Sequence, residues 1–300
     1  MTAPTTVPGT SRPWLWMLPL GAVLLVVFGY PLVEIVRLSF TDATLVADEP
    51  YSYTAQTYRS IAAGQDFVST LHVTFVFVIF SVIFQLLLGF AIALLVDTAK
   101  RRGLRGALVT RTVVLAAWAI PGVVIGVIWS LLYQESASGI LNHLGGLLGL
   151  GSDHAFLSDP NTALISVIVA NVWRGTALSM ILMYAGLQTV PRDLLEAARI
   201  DGAGAFQSFR TVVLPVLLPM ITINLVTITV ETFNTFDMVM ALTGGGPGTS
   251  TQVLALGIYD QMFVQLGLGR GAAMSVVLLL INLVMIGIYF RHTSRREARV

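Results

Sequence analysis

The chain has 300 residues, of which 55% are hydrophobic and 11% are charged. A soluble domain carries about 25% charged residues, so this composition excludes a soluble globular protein and indicates an integral membrane protein. The net charge of +1 gives no support for nucleic-acid binding, and the absence of cysteine excludes disulfides, thiolate metal sites and a cysteine nucleophile.

Six apolar runs are each long enough to cross a bilayer, which takes ~20 residues of helix. Residues 1–13, rich in Thr and Pro, are predicted to be disordered, and the first apolar run is too long for a secretory signal core, so an uncleaved anchor helix is expected. The sequence thus predicts an all-α membrane protein whose membrane domain covers residues 14–290, followed by a basic tail, 291–300. The predicted spans are Trp14–Val36, Val68–Val96, Thr112–Tyr133, Ala163–Leu187, Val216–Ala241 and Ala272–Phe290.

Positive charge predicts the orientation of these spans, because loops rich in Lys and Arg stay in the cytoplasm. The second loop, the fourth loop and the C-terminal tail carry most of the cations: Lys100, Arg101, Arg102, Arg105, Arg111, Arg192, Arg199, Arg210, Arg291, Arg295, Arg296 and Arg299. The loops on the other side of the membrane hold two arginines and eight carboxylates. Both termini are therefore predicted to be cytoplasmic. The outer loops are expected to contain a short interfacial helix within Ser136–Asn161 and an amphipathic piece at Leu254–Leu266.

Polar residues inside predicted spans are costly and point to function. The fourth span contains the run Asn-Val-Trp-Arg-Gly at 171–175, and the fifth contains Glu231, Thr232 and Asp237. At ~100° per residue, one polar face of a continuous fifth helix would carry Asn224, Thr227, Glu231, Asn234, Thr235 and Met238. Arg174 would form an ion pair with Glu231 or Asp237.

Two interpretations of this polar face remain open from the residues alone. The residues could join helices of the bundle, or they could line a path for a solute, since a polar face is not stable against lipid. Amide, hydroxyl and carboxylate groups beside an indole suit a polyhydroxylated solute. For Glu34 and Arg37, at the outer end of the first span, the sequence favours an interfacial i,i+3 pair.

A polar island between the fourth and fifth spans reads EAARIDGAGAFQSFRTVVLP, from Glu196 to Pro215. A helical start is followed by Asp201 and Gly202, and a second helical piece leads into the next span. The pattern predicts two short helices joined by a glycine turn outside the bilayer. Such a rigid projection is suited to docking a soluble partner.

Catalytic and metal-binding motifs find little support in the sequence. The glycine run at 244–248 lacks the spacing and the lysine of a P-loop, and no Gly-x-Ser-x-Gly elbow occurs. The four histidines show no metal-ligand spacing, so no metal site is predicted. The sequence therefore favours a protein that is not an enzyme.

The island and its surroundings resemble the permease subunits of bacterial ATP-binding-cassette importers, specifically the carbohydrate type similar to the larger maltose permease. The family signature is Glu-Ala-Ala, three residues, Gly, nine residues, then Ile-x-Leu-Pro. The matching residues are Glu196, Ala197, Ala198, Gly202, Leu214 and Pro215, with Val212 in place of isoleucine. Further similarity lies in Ala185–Gln188, Val190-Pro191 and Leu242–Pro247, so that the resemblance extends from about Trp14 to Phe290.

The resemblance implies a type I importer permease fold with six transmembrane helices in a bacterial inner membrane. It implies that the loop 188–215 couples the chain to a cytoplasmic ATPase through Glu196, Ala197, Ala198, Asp201 and Gly202. ATP and Mg²⁺ would be bound by that ATPase, so no cofactor is expected in this chain. The implied partners are a second homologous permease, two ATPase copies, a sugar and an extracytoplasmic solute-binding protein. This binding protein can take the form of a lipoprotein.

The resemblance also assigns a substrate pathway. Asn171, Trp173 and Gly175 match an Asn-x-Trp-x-Gly segment of members that line the sugar pocket. Polar residues on the helix after the coupling loop extend this pathway, namely Glu231, Thr232, Asn234, Thr235 and Asp237. The chain departs from these members by placing threonines where amides occur and by adding two carboxylates. The departure argues against assuming maltose itself and leaves another sugar, or a cationic or amino sugar, as open alternatives. A sugar phosphate fits poorly, because the two carboxylates would repel it.

Other functions remain as alternatives. A permease for a phosphorylated polyol, an amino acid or a peptide would carry the same coupling motif. A secondary transporter driven by protons through Glu231 and Asp237 would leave the Glu196 island unexplained. A purely structural membrane scaffold would have little use for a polar face across the bilayer.

Overall fold

The computed structural model describes residues 14–46, 50–104, 106–136 and 139–297. Within these ranges the backbone is helical, and the only strand-like feature is an isolated bridge between Thr41 and Tyr53. The all-α prediction is therefore confirmed. The predicted disordered segment 1–13 and the last three residues of the predicted tail lie outside the described residues.

Helices of very different length alternate along the chain. In chain order they are α1 (Trp16–Ser39), α2 (Gln56–Ala63), α3 (Gln65–Arg101), α4 (Gly106–Ala119), α5 (Gly122–Leu132), α6 (Ile140–Leu147), α7 (Pro160–Gln188), α8 (Arg192–Ile200), α9 (Ala205–Phe233), α10 (Asp237–Leu242), α11 (Leu254–Val264) and α12 (Leu268–Glu297). Helices α1, α3, α7, α9 and α12 are each long and apolar enough to cross a membrane. The short outer-loop helix and the amphipathic piece expected from the sequence correspond to α6 and α11.

The third predicted span is not one straight helix. Helices α4 and α5 meet at Ile120-Pro121 with a bend of 103°, and together they supply the sixth apolar segment. Proline lacks the N–H that would continue the helix and pushes the preceding residue out of the helical region. The break in the helix therefore has a local cause in the sequence.

The fifth predicted span is also interrupted. Helix α9 begins at Ala205, well before the predicted start at Val216, and ends at Phe233 instead of continuing to Ala241. Residues 234–236 leave the helix before α10 begins at Asp237. Helices α5 and α10 pack against each other closely, because a Cβ on Gly126 would lie 2.7 Å from the Met238 carbonyl oxygen.

The bundle is built around the long pair α3 and α7. Phe77 of α3, Ile125 of α5, and Phe233 and Met238 beside the second break are fully or almost fully buried in one apolar cluster. Asn224 of α9 donates a hydrogen bond of 2.8 Å to the Ser179 hydroxyl of α7. Because lipid is as apolar as these side chains, moving them from lipid into the bundle gains no hydrophobic free energy. Close packing and interhelical hydrogen bonds hold the helices together instead.

Candidate functional site

The Glu196 segment, defined as residues 188–215, forms two helical pieces joined by a tight turn. Helix α8 begins after Pro191, whose backbone is extended (φ −63°, ψ 133°), and ends at Asp201. Gly202 has φ +80°, a conformation that an L side chain rarely adopts, and the Ala203 N–H donates to the Ala198 carbonyl at 2.9 Å. The predicted turn is confirmed. The second piece differs from the prediction, because it continues directly into the membrane-spanning part of α9.

The Glu196 segment is largely uncovered in the isolated chain. Glu196, Ala197, Asp201 and Gly202 are exposed, and Ala198 is half-buried. Apolar side chains on the segment are exposed as well: 48% for Leu194, 86% for Ile200 and 77% for Phe206. These three side chains and the charges of α8 are left to solvent in the isolated chain.

Side chains of α3 hold the base of this segment in place. Asp97, which is only 8% exposed, accepts hydrogen bonds from Arg101 Nε at 2.6 Å and from Gln188 Nε2 at 2.9 Å. Lys100 Nζ donates to Gln188 Oε1 at 3.1 Å. Gln188 is the last residue of α7, so these bonds fix the end of α7 to α3 just before α8 begins. No pattern in the sequence marks this cluster beyond the polarity of its residues.

A polar cavity of about 360 Å³ lies where the two interrupted spans meet. Residues of α3, α4, α7, α9 and α10, together with the break after α9, form its walls. The lining residues are Gln85, Trp118, Asn171, Arg174, Gly175, Glu231, Thr232, Asn234, Thr235 and Asp237. Discontinuous membrane helices place polar backbone ends and side chains at such positions, which is a common way to build a solute site within a bilayer.

Local bonds stabilise the break after α9. Asn234 Nδ2 donates to the Val230 carbonyl at 2.7 Å, and the Thr235 hydroxyl donates to the Glu231 carbonyl at 2.9 Å. The Val230 carbonyl also accepts the Asn234 backbone N–H at 3.2 Å, and the Thr235 hydroxyl supplies a side-chain donor to a carbonyl of the last helical turn, where backbone donors run out. The helix can therefore stop within the apolar part of the protein and leave Asp237 at the cavity.

Seven of the eight residues predicted for the substrate pathway line this one cavity. They are Asn171, Gly175, Glu231, Thr232, Asn234, Thr235 and Asp237. Trp173 does not line it: this side chain is 43% exposed and contacts Trp129 edge-on, with ring centroids 6.1 Å apart. On a helix, residue 173 is rotated by ~200° from residue 171, whereas residues 174 and 175 return to the same side.

Gln85 and Trp118 also line the cavity, and the sequence analysis missed them. Gln85 of α3 is almost fully buried and donates from Nε2 to the Asn171 carbonyl at 3.2 Å. Gly175 makes room for it, because a Cβ at that position would overlap the Gln85 amide. A glutamine in the middle of an apolar run was the available signal. Trp118 lies in an apolar stretch just before the bend, and nothing in the sequence around it marks it as a cavity residue.

The charges of the cavity lie close together. Arg174 Nη1 is 3.7 Å from Asp237 Oδ1, which confirms the predicted pairing of these side chains. The Trp118 indole N–H donates toward the Glu231 carboxylate, which also faces the charge of Arg174. Gly122 at the start of α5 leaves space for Asp237, because a Cβ there would overlap the Asp237 carboxylate.

One buried donor at the cavity lacks a partner. Asn171 is 3% exposed, and its Nδ2 has no hydrogen-bond partner among the described residues. An unpaired amide N–H₂ in an apolar interior costs free energy on the order of 1–3 kcal/mol, so such groups in natural proteins call for a ligand or a bound water. Asn171 therefore brings a buried donor without a partner among the described residues to the α7 wall of the cavity.

The predicted polar face of the fifth span does not run continuously into the cavity. Asn224 is fully buried against Ser179, and the Thr227 hydroxyl donates back to the Ile223 carbonyl of its own helix at 2.9 Å. Met238 lies beyond the break and is buried in the apolar core. The predicted polar face depends on a continuous helix. The break at 234–236 shows that the helix is not continuous, so the face does not form.

The opposite end of the bundle is organised by side-chain and backbone bonds. Arg37 donates from Nε to Glu34 Oε2 at 2.9 Å and from Nη1 to the hydroxyls of Tyr51 and Tyr53, so the predicted i,i+3 pair is confirmed. The Ser52 N–H and hydroxyl donate to Asp42 at 2.6 and 2.7 Å and hold the pKa of that carboxyl below its usual range.

Glu135 is held in a similar way near the start of α7. Burial raises the pKa of this carboxyl, but hydrogen bonds from the Ser158 hydroxyl and from the N–H groups of Leu157 and Ser158 outweigh burial and keep the pKa below its usual value. The described residues contain no group of three or more His, Asp or Glu side chains placed to hold a metal ion.

The family of the chain follows from comparison with known proteins. Residues 85–297 match the family described as binding-protein-dependent transport system inner membrane component. The chain belongs to this family. The permease is 32% identical over 280 residues to the trehalose/maltose transport system permease protein MalF of Thermococcus litoralis, which covers 93% of this chain and 92% of the relative.

A second relative and a solved structure extend the comparison. The permease is 35% identical over 240 residues to the sn-glycerol-3-phosphate transport system permease protein UgpA of Agrobacterium fabrum, covering 80% of each chain. A chain of a bacterial ABC transporter involved in the import of the acidic polysaccharide alginate has a TM-score of 0.79 at 21% identity, covering 95% of this chain and 96% of that one. At this identity the likeness concerns the fold.

These comparisons confirm the predicted family, the importer-permease fold and the prediction that the chain is a transport subunit rather than an enzyme. They also make it an integral inner-membrane protein that works in a binding-protein-dependent system. The roles predicted for individual residues of the cavity and of the Glu196 segment stay predictions, as does the orientation of the termini.

Proposed function

We propose that the chain is the permease subunit of an ATP-driven importer for a sugar or oligosaccharide, and that the solute passes through the polar cavity between the two interrupted spans. The observation that carries this proposal is the side chain of Asn171, which lines that cavity and whose buried Nδ2 has no hydrogen-bond partner among the described residues. A solute hydroxyl would accept its hydrogen bond and remove the cost of the unpaired donor.

The chemistry of the cavity walls supports a polyhydroxylated solute. Amides, hydroxyls and carboxylates supply both donors and acceptors, which a sugar hydroxyl needs because it is itself both donor and acceptor. The exposed indole of Trp118 offers an apolar face for the ring carbons of a saccharide. The chain would supply one wall, and a second, homologous permease would supply the other.

The Glu196 segment is proposed to couple this cavity to ATP hydrolysis. Helix α8 would dock in a cleft of a cytoplasmic ATPase, where Glu196 would pair with a basic side chain and Ile200 and Phe206 would lose their exposure. The turn at Gly202 joins α8 to α9, and α9 ends at the cavity. A displacement of the docked helix would therefore reach the cavity through a single helix.

The proposed assembly contains this chain, a second permease, two copies of the ATPase and an extracytoplasmic binding protein that delivers the solute. A lipoprotein is one form that this binding protein can take. Both termini and the Glu196 segment would be cytoplasmic, in agreement with the excess of Lys and Arg at that end. ATP and Mg²⁺ would be held by the ATPase copies. The trehalose/maltose relative favours a sugar, and the sn-glycerol-3-phosphate relative makes a phosphorylated polyol the second candidate.

The proposal is tested by co-purification and reconstitution. The chain is extracted gently from its membrane, and its partners are identified by mass spectrometry. A screen then identifies a saccharide that the binding protein binds. The complex is placed in proteoliposomes with the binding protein and this saccharide. The expected result is uptake that requires ATP on the side of the membrane where the ATPase subunits lie. Uptake by the chain alone without ATP would contradict the proposal and favour a secondary transporter.

A further inference from the structure

The relatives of this permease handle solutes of two different charges, since one carries trehalose or maltose in its name and another sn-glycerol 3-phosphate. A phosphate monoester carries about −1.5 to −2 charge near neutral pH and needs basic partners when it leaves water. The charged side chains of the cavity therefore bear on which of the two classes this chain accepts. The inference below rests on the proposed function of the cavity.

Arg174 is the one cationic side chain among the described residues that line the cavity. Its Nη1 lies 3.7 Å from Asp237 Oδ1, and Glu231 presents a second carboxylate to it. The two carboxylates together outweigh the charge of the guanidinium. The cavity therefore offers a phosphate group no cation that is free of an acidic partner.

The position of Asp237 is fixed by its surroundings. Asp237 begins α10 directly after the break, and its carboxylate occupies the space that the missing side chain of Gly122 leaves at the start of α5. Arg174 approaches from α7, so three elements converge on one ion pair. The Gly122 backbone thus packs against one side of the Asp237 carboxylate, and Arg174 lies on another.

We propose that the Arg174–Asp237 pair makes the cavity selective for an uncharged polyhydroxylated solute and excludes phosphorylated ones. Asp237 acts as a specificity residue, because it neutralises the one cation that a phosphate would bind. The unpaired Asn171 amide remains as a neutral donor for a saccharide, and the hydroxyls of Thr232 and Thr235, which donate to helix carbonyls, remain as neutral acceptors.

The test uses the assembled importer, purified in detergent without its binding protein, and measures the binding of sn-glycerol 3-phosphate by isothermal titration calorimetry. Asp237→Asn keeps the side-chain volume and leaves Arg174 without its partner, so the variant should bind this probe about tenfold more tightly than the wild type. The double variant Arg174→Gln/Asp237→Asn removes the cation as well and should return to wild-type binding. Asp153→Asn, the same change at an exposed position outside the cavity, serves as the matched control.

Equal binding of the probe by the wild type and by Asp237→Asn, including undetectable binding by both, would overturn the inference. Tight binding retained in the double variant would also overturn it, because the gain would not depend on Arg174. ATP-driven uptake of sn-glycerol 3-phosphate by the wild-type importer would overturn the selectivity and leave the importer assignment intact. Absence of ATP-driven uptake of every solute would contradict the proposed function, and the calorimetric comparison would still decide the role of Asp237.

Discussion

The Glu196 segment and the polar cavity are both polar regions of an apolar protein, but they are built in opposite ways. The segment consists of consecutive residues and exposes Ile200 and Phe206, while Gln188 at its base is bonded to α3. The cavity draws its residues from five helices and one break, and its side chains are held by Gln85, Trp118 and the Arg174–Asp237 pair. The first region leaves its large apolar side chains uncovered, whereas the side chains of the second contact one another within this chain.

This difference separates two kinds of sensitivity to mutation. A change in the Glu196 segment should alter the response to the ATPase while the bundle stays intact, because few bonds of the bundle depend on it. A change at the cavity should alter the handling of solute while the response to the ATPase remains.

The largest effect is expected for Glu196→Ala. Loss of a charge at the centre of a docking helix should lower ATP-driven uptake by tenfold or more, on the order of an interface hot spot, while ATP hydrolysis continues without responding to the binding protein. The matched control is Asp193→Ala, which removes an exposed carboxylate from the first turn of the same helix. Full uptake in Glu196→Ala with the normal membrane content of the chain would refute the coupling role.

Asn171→Ala should have the next largest effect. Removal of the donor that faces the cavity should weaken uptake by about five- to tenfold, as expected for one hydrogen bond to a bound solute. Binding-protein-stimulated ATP hydrolysis should remain. Asn161→Ala, which changes an exposed amide at the start of the same helix, should leave uptake unchanged. Unaltered uptake in Asn171→Ala would remove this residue from the solute path.

A smaller effect is expected at the turn of the Glu196 segment. Gly202→Ala places a side chain at φ +80°, where an L residue costs about 1–2 kcal/mol, although no atom lies within 4 Å of the added Cβ. The turn should populate other conformations, and uptake should fall several-fold. Gly204→Ala is the control, because Gly204 has a negative φ and equally open surroundings. Equal loss in both variants would show that backbone strain is not the cause.

The smallest effect concerns pH at the opposite end of the bundle. The hydrogen bonds from Ser52 depress the pKa of Asp42 in the folded chain, so its contribution to loop stability is present above the unfolded-state pKa of about 3.9 and is lost as pH falls through the lower folded value. Hydrogen exchange around Ser52 should accelerate as the pH is lowered through this range. In Asp42→Asn, which cannot titrate, the acceleration should be absent; its persistence there would assign the effect to another group.

The contrast between the two regions also explains how much of each could be predicted. Local rules were sufficient for the Glu196 segment, because a proline at 191 and a glycine at 202 mark the ends of α8 within the sequence itself. The six apolar segments followed from length and composition. The six-helix fold and the family were predicted correctly, and the relatives confirm them.

The cavity was predicted only in part, because its shape depends on contacts between distant residues. The polar residues of 231–237 were identified, but a continuous helix was assumed, and the polar face was extended wrongly to Asn224 and Met238. Pro121 was a visible signal for the bend between α4 and α5 and was not used. Gln85 could be placed at the cavity only through its packing against Gly175, which pattern analysis of one sequence does not reveal.

The most direct test of the division between the two regions is the number of solute molecules imported per ATP hydrolysed, measured in proteoliposomes with and without the binding protein. In Asn171→Ala, hydrolysis should still respond to the binding protein while the solute imported per ATP falls. In Glu196→Ala, hydrolysis should no longer respond to the binding protein. The account would be contradicted if the two variants showed the same pattern, because the Glu196 segment and the cavity would then not serve separate roles.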